Sequence, residues 1–485
     1  MQTTASHVTR RELFHRAGCG AGMLGLTALL HQEGWLSSPA RAEVADSFDP
    51  LAAKQSHFPA PAKRVIWLFI NGGPSHVDTW DYKPELEKRD GQELAGFDKF
   101  TGFFANAVGP LMKSPFKFAQ YGQTGKWVSD LFPHLSQHVD KMAFIHSGYT
   151  KSNNHSPALF MMNTGMTQMG HPCVGSWATY GLGSVSRDLP AFVVMSDPKG
   201  RGLPKGYSLN WGAGFLPSVY QGTWLKPAGD PIDNLHRPKE LSAARQRAQL
   251  DLLAKLNRKH FEDNPAEKEL AARIESFELA YRMQSAAPEA LDVNREPEHI
   301  QKLYGLDDGT CAHFARQCLI ARRMVERGVR FVQIYSGGME NQRSWDGHND
   351  IIGNHTGFAG ETDKPIAALL SDLQQRGLLD DTLVIWGGEF GRLPIAQKAS
   401  KPGRDHNPHA FTYWLAGGGA KGGVTYGATD EIGHRAVENR VTVNDLHATI
   451  LHLLGIDHQR LTYRHNGRDF RLTDVAGNVI TDVIA

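Results

Sequence analysis

The sequence predicts an α/β fold in which a mostly parallel sheet lies between two layers of helices, a three-layer α/β/α sandwich. The first observation is residues 64–70 (RVIWLFI), an uninterrupted apolar run of strand length. Such a run is typical of a strand that is buried on both faces of a parallel sheet. The second observation is the recurrence of strand, polar loop and helix along the chain, which is the rhythm of α/β domains.

The remaining elements follow this rhythm. Further strands are predicted at residues 329–335, 382–386 and 411–416, and helices at about 314–325, 365–375 and 444–454. Gly328, Gly377 and Gly455 each follow a helical pattern, where a glycine commonly ends a helix. Residues 236–290 are charged and free of glycine. We predict a helical insertion there, which either packs on the main body or forms a separate domain.

The N-terminal segment has the features of an export signal. Paired arginines at Arg10-Arg11 precede a weakly apolar run at 17–30, and the small-x-small pattern Ala40-Arg41-Ala42 follows. This order predicts a twin-arginine signal peptide over residues 1–42, a linker over 43–62 and an α/β domain over 63–485. The apolar run is shorter than the roughly 20 residues of a transmembrane helix, so no stable membrane span is expected. We therefore expect the twin-arginine translocase as a partner and a periplasmic or extracellular location.

The composition limits the classes of partner and of cofactor. The 52 Lys and Arg residues balance 51 Asp and Glu residues, so the charge does not favour nucleic acid as a partner. Of the four cysteines, Cys19 falls in the predicted signal peptide. Cys311 and Cys318 lie about 10 Å apart along one predicted helix, too far for a bridge, whereas a bridge from Cys173 to one of them remains open. So sparse a set argues against a disulfide framework and against a thiolate metal cage.

Histidine and carboxylate residues collect in the loops next to the predicted strands. Because ligands of open α/β sheets bind at the carboxyl ends of the strands, a site is expected there. The candidate metal ligands are Asn71, His76 and Asp78 after the first strand, Asp346 and His348 after the second, Glu389 after the third, and Asp405, His406 and His409 before the last. Histidine with carboxylate suits Zn²⁺, and oxygen-rich shells suit Ca²⁺, Mg²⁺ or Mn²⁺. We therefore predict a divalent metal ion as cofactor.

Arg392 lies three residues after Glu389 and has two interpretations. A guanidinium suits a bidentate oxyanion, so Arg392 is a candidate clamp for a substrate anion. The alternative is a core ion pair with Glu389. Other histidines, such as His134, His138 and His434, are interpreted as surface or hydrogen-bonding residues.

Several motifs together resemble one exported bacterial family. They are the twin-arginine leader, NGGPSHVDTWD (71–81), CLIARRMVERGVRF (318–331), WDGH (345–348), EFGR (389–392) and GRDH (403–406). The family is catalogued as a domain of unknown function, is abundant in planctomycetes and is often labelled sulfatase-like. Its placement in the alkaline-phosphatase superfamily implies a sulfatase-like α/β/α fold with a metal site at the strand ends.

The resemblance also implies a catalytic position. Sulfatases carry a helix-opening Cys/Ser-x-Pro-Ser-Arg motif that ends in Thr-Gly, and residues 155–165 (HSPALFMMNTG) are similar. His155 takes the position of the nucleophile, with Ser156 next to it, and a helix N-terminus there would favour an anion. The sequence departs from the motif in lacking the cysteine that becomes formylglycine and the arginine. Asn71 stands where the superfamily usually has an aspartate ligand.

These residues predict an exported metal-dependent hydrolase of sulfate or phosphate esters, with a small molecule or a glycan as substrate. In this hypothesis the metal shell is Asp346, His348, Glu389, Asp405 and His406, with His76 and Asp78 as additions. His155 or Ser156 would be nucleophile or general base, and metal ions would stabilise charge on the ester oxygens. The alternative is a relative that has lost hydrolysis and binds sulfated polysaccharide or holds a metal structurally. Phosphotransfer of the mutase type is a third option.

Overall fold

A central sheet of nine strands organises the part of the chain that the structure describes. In this computed structural model that part comprises residues 49–226, 231–232, 235–263 and 268–485, without the side chains of 261–275. Its strands are β1 (Arg64–Ile70), β2 (Val108–Leu111), β3 (Phe118–Tyr121), β4 (Lys126–Ser129), β5 (Met142–Tyr149), β6 (Phe192–Met195), β7 (Thr223–Leu225), β8 (Phe331–Ser336), β9 (Thr382–Gly387), β10 (Gly391–Gln397), β11 (Gly403–Asn407), β12 (Phe411–Ala416), β13 (Thr425–Tyr426), β14 (Ala428–Thr429), β15 (Ala436–Glu438), β16 (Val441–Thr442), β17 (Tyr463–His465) and β18 (Arg468–Phe470). Its α-helices are α1 (His76–Thr79), α2 (Pro84–Lys88), α3 (His155–Thr164), α4 (Val174–Leu182), α5 (Ala243–Asp263), α6 (Lys268–Leu291), α7 (Glu298–Tyr304), α8 (Ala312–Glu326), α9 (Ile351–Gln375) and α10 (Val443–Leu453).

The strands of the central sheet are mostly parallel. Their order is β13-β5-β12-β9-β1-β8-β6-β7, with β16 also paired to β5. β1 pairs in parallel with β8 and β9, and β6 pairs in parallel with β8 and β7. β12 is antiparallel to both β9 and β5, so β5 runs in the same direction as β9. The mostly parallel sheet predicted from the sequence is confirmed, with β12 as a reversed strand.

Different helices cover the two faces of the sheet. Ile66, Leu68 and Ile70 of β1 pack in one hydrophobic core with residues of α8 and α9. The alternate residues of β1, from Val65 to Phe69, pack in a second core with residues of α3, α4 and α10. Because side chains alternate between the faces of a strand, a strand that is apolar throughout contributes to both cores. The predicted three-layer α/β/α sandwich is therefore confirmed.

Residues 49–62, the described part of the predicted linker, lie against the main body. Leu51 and Ala62 are buried, and backbone hydrogen bonds join Lys54 N to Leu182 O and Ala62 N to Leu453 O, both at 2.9 Å. The predicted signal peptide over residues 1–42 lies outside the described residues. No helix among the described residues is long and apolar enough to cross a lipid bilayer.

Two helices, α5 and α6, account for most of the segment that the sequence predicts as a helical insertion. Arg247 of α5 pairs with Glu278 of α6 at 2.7 Å. Met283 and Ala287 of α6 are buried in the same core as α8, so α6 packs on the main body. Cys173, Cys311 and Cys318 are all free and buried, so the bridge from Cys173 that the sequence leaves open is not formed.

A buried ion pair holds the β10–β11 hairpin against α1, the short helix that follows β1. Arg404 of β11 donates Nε to Asp78 Oδ2 at 2.6 Å and Nη2 to Asp78 Oδ1 at 3.1 Å. Both side chains are fully buried. Burial opposes the charge of Asp78, but Arg404 and the Ser75 hydroxyl outweigh it and lower the pKa of this carboxyl. Since β11 also carries His406, the pair fixes the position of a candidate metal ligand.

Replacing Asp78 with Asn is expected to destabilise the fold, because the Arg404 charge then stays buried without its partner. The expected loss in the free energy of unfolding at neutral pH is about 3–5 kcal/mol, measured by urea denaturation. Asp78 stabilises the fold above the carboxyl pKa of the unfolded chain, about 3.9. This stabilisation is lost as the pH falls through the lower pKa of the folded state.

The matched control for Asp78→Asn is Lys401→Ala, which removes an exposed pair between Asp350 and Lys401, a residue of the turn between β10 and β11. An exposed pair contributes at most about 1 kcal/mol, so the control is expected to unfold close to the wild-type midpoint. Equal losses of stability in the two variants would contradict the assigned role of the Asp78–Arg404 pair.

Candidate metal centre

Two strand ends and one hairpin bring histidine and carboxylate side chains together. His155 is the first residue of α3, which follows β5, while Asp346 and His348 lie in the loop after β8. His406 lies on β11, opposite Arg392 of β10. β5 and β8 run in the same direction, so both loops open at the carboxyl edge of the sheet, where a ligand site is expected.

His155, Asp346, His348 and His406 form one buried cluster. One ligand atom from each residue lies within 4.8 Å of those of the other three. Asp346 Oδ1 is 3.0 Å from His348 Nε2 and 3.2 Å from His406 Nε2. Asp346 Oδ2 is 3.2 Å from His155 Nε2. Three imidazole nitrogens therefore surround one carboxylate.

The other ring nitrogen of each histidine is held from outside the cluster. His155 Nδ1 is 2.8 Å from Glu389 Oε1, and His348 Nδ1 is 2.6 Å from Gln397 Oε1. His406 Nδ1 is 2.5 Å from the carbonyl oxygen of Asn153. All three partners are oxygen acceptors, so each Nδ1 donates a proton and each Nε2 faces inward. Outer hydrogen bonds of this kind orient the histidines of metal sites.

This arrangement favours a cation at the centre of the cluster. The Nε2 atoms of His348 and His406 are 2.9 Å apart. With both Nδ1 atoms donating to acceptors outside the cluster, the two Nε2 atoms point towards each other and towards Asp346. The buried Nε2 of His155 lies beside Asp346 without hydrogen-bond geometry. Imidazole and carboxylate donors fit the divalent metal ion predicted from the sequence. Several divalent metals bind such donors, so the donor set does not select one of them.

Asp346 is kept ionised by the groups around it. Burial opposes its charge, but the Arg392 guanidinium and His155 outweigh burial and hold the pKa of this carboxyl well below its usual range. Arg392 Nη2 donates to Asp346 Oδ1 at 2.6 Å, and Nε donates to the Gly73 carbonyl at 2.7 Å. Arg392 is fully buried. It is therefore the partner of Asp346, rather than a clamp exposed to substrate or a partner of Glu389.

His155 lies between two carboxylates, Asp346 and Glu389. Burial favours its neutral form, but the two carboxylates outweigh burial and raise the pKa of His155 to about 9. Glu389 is fully buried and accepts the backbone N–H of Gly72 at 3.0 Å. Glu389 thus faces His155 from outside the cluster and orients its ring.

Burial, with the nearby charge of His155, lowers the pKa of His406 well below its usual value.

Asp405 supports the cluster from behind. Its Oδ1 accepts the backbone N–H of His406 at 2.7 Å and lies 3.7 Å from His348 Nδ1. Its Oδ2 accepts the backbone N–H of Phe104 at 2.6 Å. A Cβ on Gly102 would come within 2.4 Å of the same oxygen, so glycine is needed for this close approach. Asp405 therefore joins the loop at 101–104 to the histidines.

A cavity of about 210 Å³ opens onto the cluster. The cluster residues line it together with Phe103, Phe104, Asn154, Lys205, Glu340 and Asn341. Lys205 and Glu340 form an ion pair at 2.9 Å. Phe103 and Phe104 are 50% and 41% exposed. A small molecule in this cavity therefore meets the cluster, a lysine and two aromatic rings.

Three of the predicted metal ligands belong to other contacts. Asp78 pairs with Arg404, and His76 Nε2 is 2.7 Å from the Gly433 carbonyl oxygen. His409 is half-buried, with its ring edge-on to His434 at a centroid distance of 6.2 Å. Asp78, His76 and His409 are outside the one group of candidate metal-ligating side chains among the described residues.

Asn71 and Ser156 take supporting positions. The Asn71 side-chain amide donates to the Gly338 carbonyl, and the Asn71 carbonyl accepts the N–H of Trp345 at 2.9 Å. Asn71 therefore holds the loop that carries Asp346. Ser156 is half-buried at the second position of α3, where its backbone N–H donates to the capping side chain of Asn154.

Sequence reasoning missed the outer partners Gln397 and Asn153 and the aromatic pair Phe103 and Phe104. An amide side chain and a backbone carbonyl leave no ligand motif in a sequence, so the first two carried no usable signal. The aromatic pair did carry one. Two adjacent phenylalanines in a glycine-containing loop (KFTGFFAN, 99–106) are unusual for a solvent-exposed turn.

The fold is similar to solved structures of low sequence identity. A phosphonate monoester hydrolase from Silicibacter pomeroyi is 12% identical, with 81% of this chain and 73% of that chain covered and a TM-score of 0.33. The lipoteichoic acid synthase of Listeria monocytogenes is 9% identical, with 87% and 78% covered and a TM-score of 0.32. The alkaline phosphatase of the Antarctic bacterium TAB5 is 10% identical, with 81% and 98% covered and a TM-score of 0.30.

Among curated proteins there is no match. A family model described as protein of unknown function (DUF1501) matches residues 62–484. The match spans the whole α/β body, including each residue of the cluster. The chain therefore belongs to the family of proteins of unknown function DUF1501.

Proposed function

We propose that this protein is a metal-dependent hydrolase of sulfate or phosphate esters. The observation that carries the proposal is the set of three inward-facing imidazole nitrogens around Asp346, at a cavity on the carboxyl edge of the sheet. Each ring is oriented by an acceptor outside the cluster, as in metal sites. The choice of sulfate or phosphate esters as substrates is based on the sequence motifs that resemble sulfatase-like proteins.

Asp346 Oδ1, His348 Nε2 and His406 Nε2 are the proposed ligands of the divalent ion. The three atoms lie between 2.9 and 3.2 Å from one another. When bound, such an ion supplies Lewis-acid stabilisation for the charge that develops on the ester oxygens. Three protein ligands leave a coordination position open, which is the usual condition of a catalytic zinc site.

His155 is the proposed general acid–base residue. Its Nδ1 donates to Glu389, which fixes the ring, and its Nε2 lies next to Asp346 at the cavity. With a pKa of about 9, His155 carries a proton on Nε2 at neutral pH. It can donate this proton to the leaving oxygen of the ester, and the neutral ring can then take up a proton from water. This is the logic of a histidine oriented by a carboxylate, as in hydrolytic triads. Lys205 lines the same cavity and would attract the anionic ester group.

The proposal includes export by the twin-arginine route to the periplasm or the cell exterior. Its support is the order of paired arginines, weakly apolar run and small-x-small pattern within residues 1–42. Export after folding suits a protein that takes up its metal ion in the cytoplasm.

Changing Arg10 and Arg11 to Lys should retain the precursor in the cytoplasm, because the translocase reads the arginine pair. Cell fractionation and N-terminal sequencing of the exported form supply the measurement. A Lys113→Arg variant in the body of the chain is the control and should be exported normally. Unchanged export of the double Lys variant would exclude the twin-arginine route.

Removing a proposed ligand should remove the metal. His348→Ala and His406→Ala are each expected to lower the divalent metal content from about one ion per chain to near zero, because each deletes one of three ligands. Elemental analysis after loading with Zn²⁺ or Mn²⁺ measures this content. His409→Ala is the matched control, since His409 lies three residues from His406 and outside the cluster. Full metal content in both ligand variants would refute the assignment.

Replacing His155 with Gln tests the acid–base role. Turnover of 4-nitrophenyl sulfate or 4-nitrophenyl phosphate, whichever the wild type hydrolyses, is expected to fall about 10²–10⁴-fold. The metal content is expected to stay near that of the wild type. Loss of the metal in this variant would make His155 a fourth ligand. A wild-type protein that holds metal but hydrolyses no ester of a broad panel would favour the alternative, a relative that keeps the metal structurally.

A further inference from the structure

A second and larger cavity, of about 1060 Å³, lies next to the segment that carries Lys205. Its lining includes Leu203, Tyr207, Ser208, Trp211, Gln221 and Trp224. We propose that this cavity binds neutral sugar units of a glycan whose ester group reacts at the metal centre. The reaction of the ester group at the metal centre rests on the proposed function, whereas the binding of sugar units rests on the cavity itself.

One short segment borders both cavities. Lys205 lines the cavity at the metal centre, and Tyr207 lines the larger cavity. Two residues span at most about 7 Å, so one short stretch of backbone contributes to the walls of both cavities. Gly206 lies between them against Phe160 of α3, where a Cβ would come within 2.6 Å of the ring. In the proposal, a glycan whose ester group lies at Lys205 extends along this segment into the larger cavity.

The same segment is attached to the loop that carries Asp346. Met339 N donates to Arg201 O at 2.9 Å, and Lys205 pairs with Glu340. The backbone of Tyr207 has a φ of +50°, which is unusual for a residue with a side chain. Such conformations persist where the surroundings determine them, and they cluster at ligand sites. The backbone conformation at Tyr207, at the wall of the cavity, is thus determined by its surroundings.

The lining of the larger cavity has the chemistry of a sugar site. Tyr207 is 54% exposed and presents an aromatic ring to the solvent. Ser208, Gln221 and Thr223 add hydroxyl and amide groups. Aromatic faces pack against the apolar C–H faces of sugar rings, while polar groups bind the hydroxyl groups at the ring edges.

Charge and size indicate the kind of glycan. Among the described residues, no charged side chain lines this cavity. A run of neutral sugars therefore fits it better than a polyanion, whose charges would have no partner there. Its volume is at the upper end of typical ligand pockets, roughly 300–1,000 Å³, so it has room for more than one ring. The anionic ester would lie at Lys205, and the neutral units beyond it.

Calorimetric titration of the full mature protein with neutral hexasaccharides tests the proposal. The probes are hexamers of β-1,4-glucose, α-1,4-glucose, xylose and mannose, with dextran sulfate as the polyanionic comparison. At least one neutral hexamer is expected to bind, and Tyr207→Ala is expected to weaken it at least about tenfold. Tyr207→Phe retains the ring and should bind within about threefold of the wild type. Trp127→Ala, which removes an exposed aromatic residue outside the cavity, is the control and should bind as the wild type does.

Absence of binding by all four neutral hexamers would overturn the proposal, as would unchanged binding in Tyr207→Ala or a preference for dextran sulfate. If Tyr207→Ala unfolds in a thermal melt, Gln221→Ala supplies the second test with the same expected loss. Binding needs no turnover, which separates the two proposals. A protein that binds a hexamer but hydrolyses no ester leaves the sugar site standing, and one that hydrolyses small esters but binds no hexamer disproves the sugar site alone.

Discussion

The candidate site depends on one buried charge, the carboxylate of Asp346. Removing a carboxylate from water costs several kcal/mol unless other groups replace the water. Here Arg392 and three histidines replace it. Arg392 is held in turn by the carbonyl oxygens of Gly73 and Arg404. The charge of Asp346 therefore determines where the hairpin and the loop after β1 must lie.

The close approach of those loops needs particular backbones. Gly72 has a φ of +104°, and a Cβ there would come within 2.5 Å of Ser344 Oγ. A side chain at this position would push the loop after β1 away from the loop that carries Asp346. Gly102 has the same function at Asp405. Gly72 and Gly102 thus allow the loops to approach closely, and the ion pair between Asp78 and Arg404 holds the hairpin beside them.

The fold could be predicted because its strands are apolar throughout and its helices end at glycines. The direction of β12 could not, since Phe411–Ala416 has the same apolar pattern in either direction. The start of α9 was also missed. The sequence pattern begins a helix at Pro365, the usual position of proline, whereas α9 begins at Ile351 and contains Pro365 in its interior. Tertiary packing on α8 and the sheet outweighs the local preference here.

The loops that carry the site could be predicted from the strand ends, but the role of each residue could not. Asp78 and His406 have the same local signal, an ionisable residue in a turn next to a strand. Asp78 meets its partner Arg404 across 326 residues of sequence, and His406 meets Asp346 across 60. Only the folded chain shows that Asp78 pairs with the guanidinium of Arg404, whereas His406 faces the cavity.

The loop from Gly337 to Asp346 connects the chemistry of the site to its surroundings. At one end it provides Asp346 to the histidines, and in its middle Met339 and Glu340 hold the segment from Arg201 to Lys205. A ligand that packs against Tyr207 would therefore contact a backbone that is attached to the loop of the candidate metal site. Binding energy from the remote part of a substrate can then position its reacting group, which raises the rate more than it raises the affinity. A long substrate would use this connection, whereas a small ester would fill the cavity at the cluster alone.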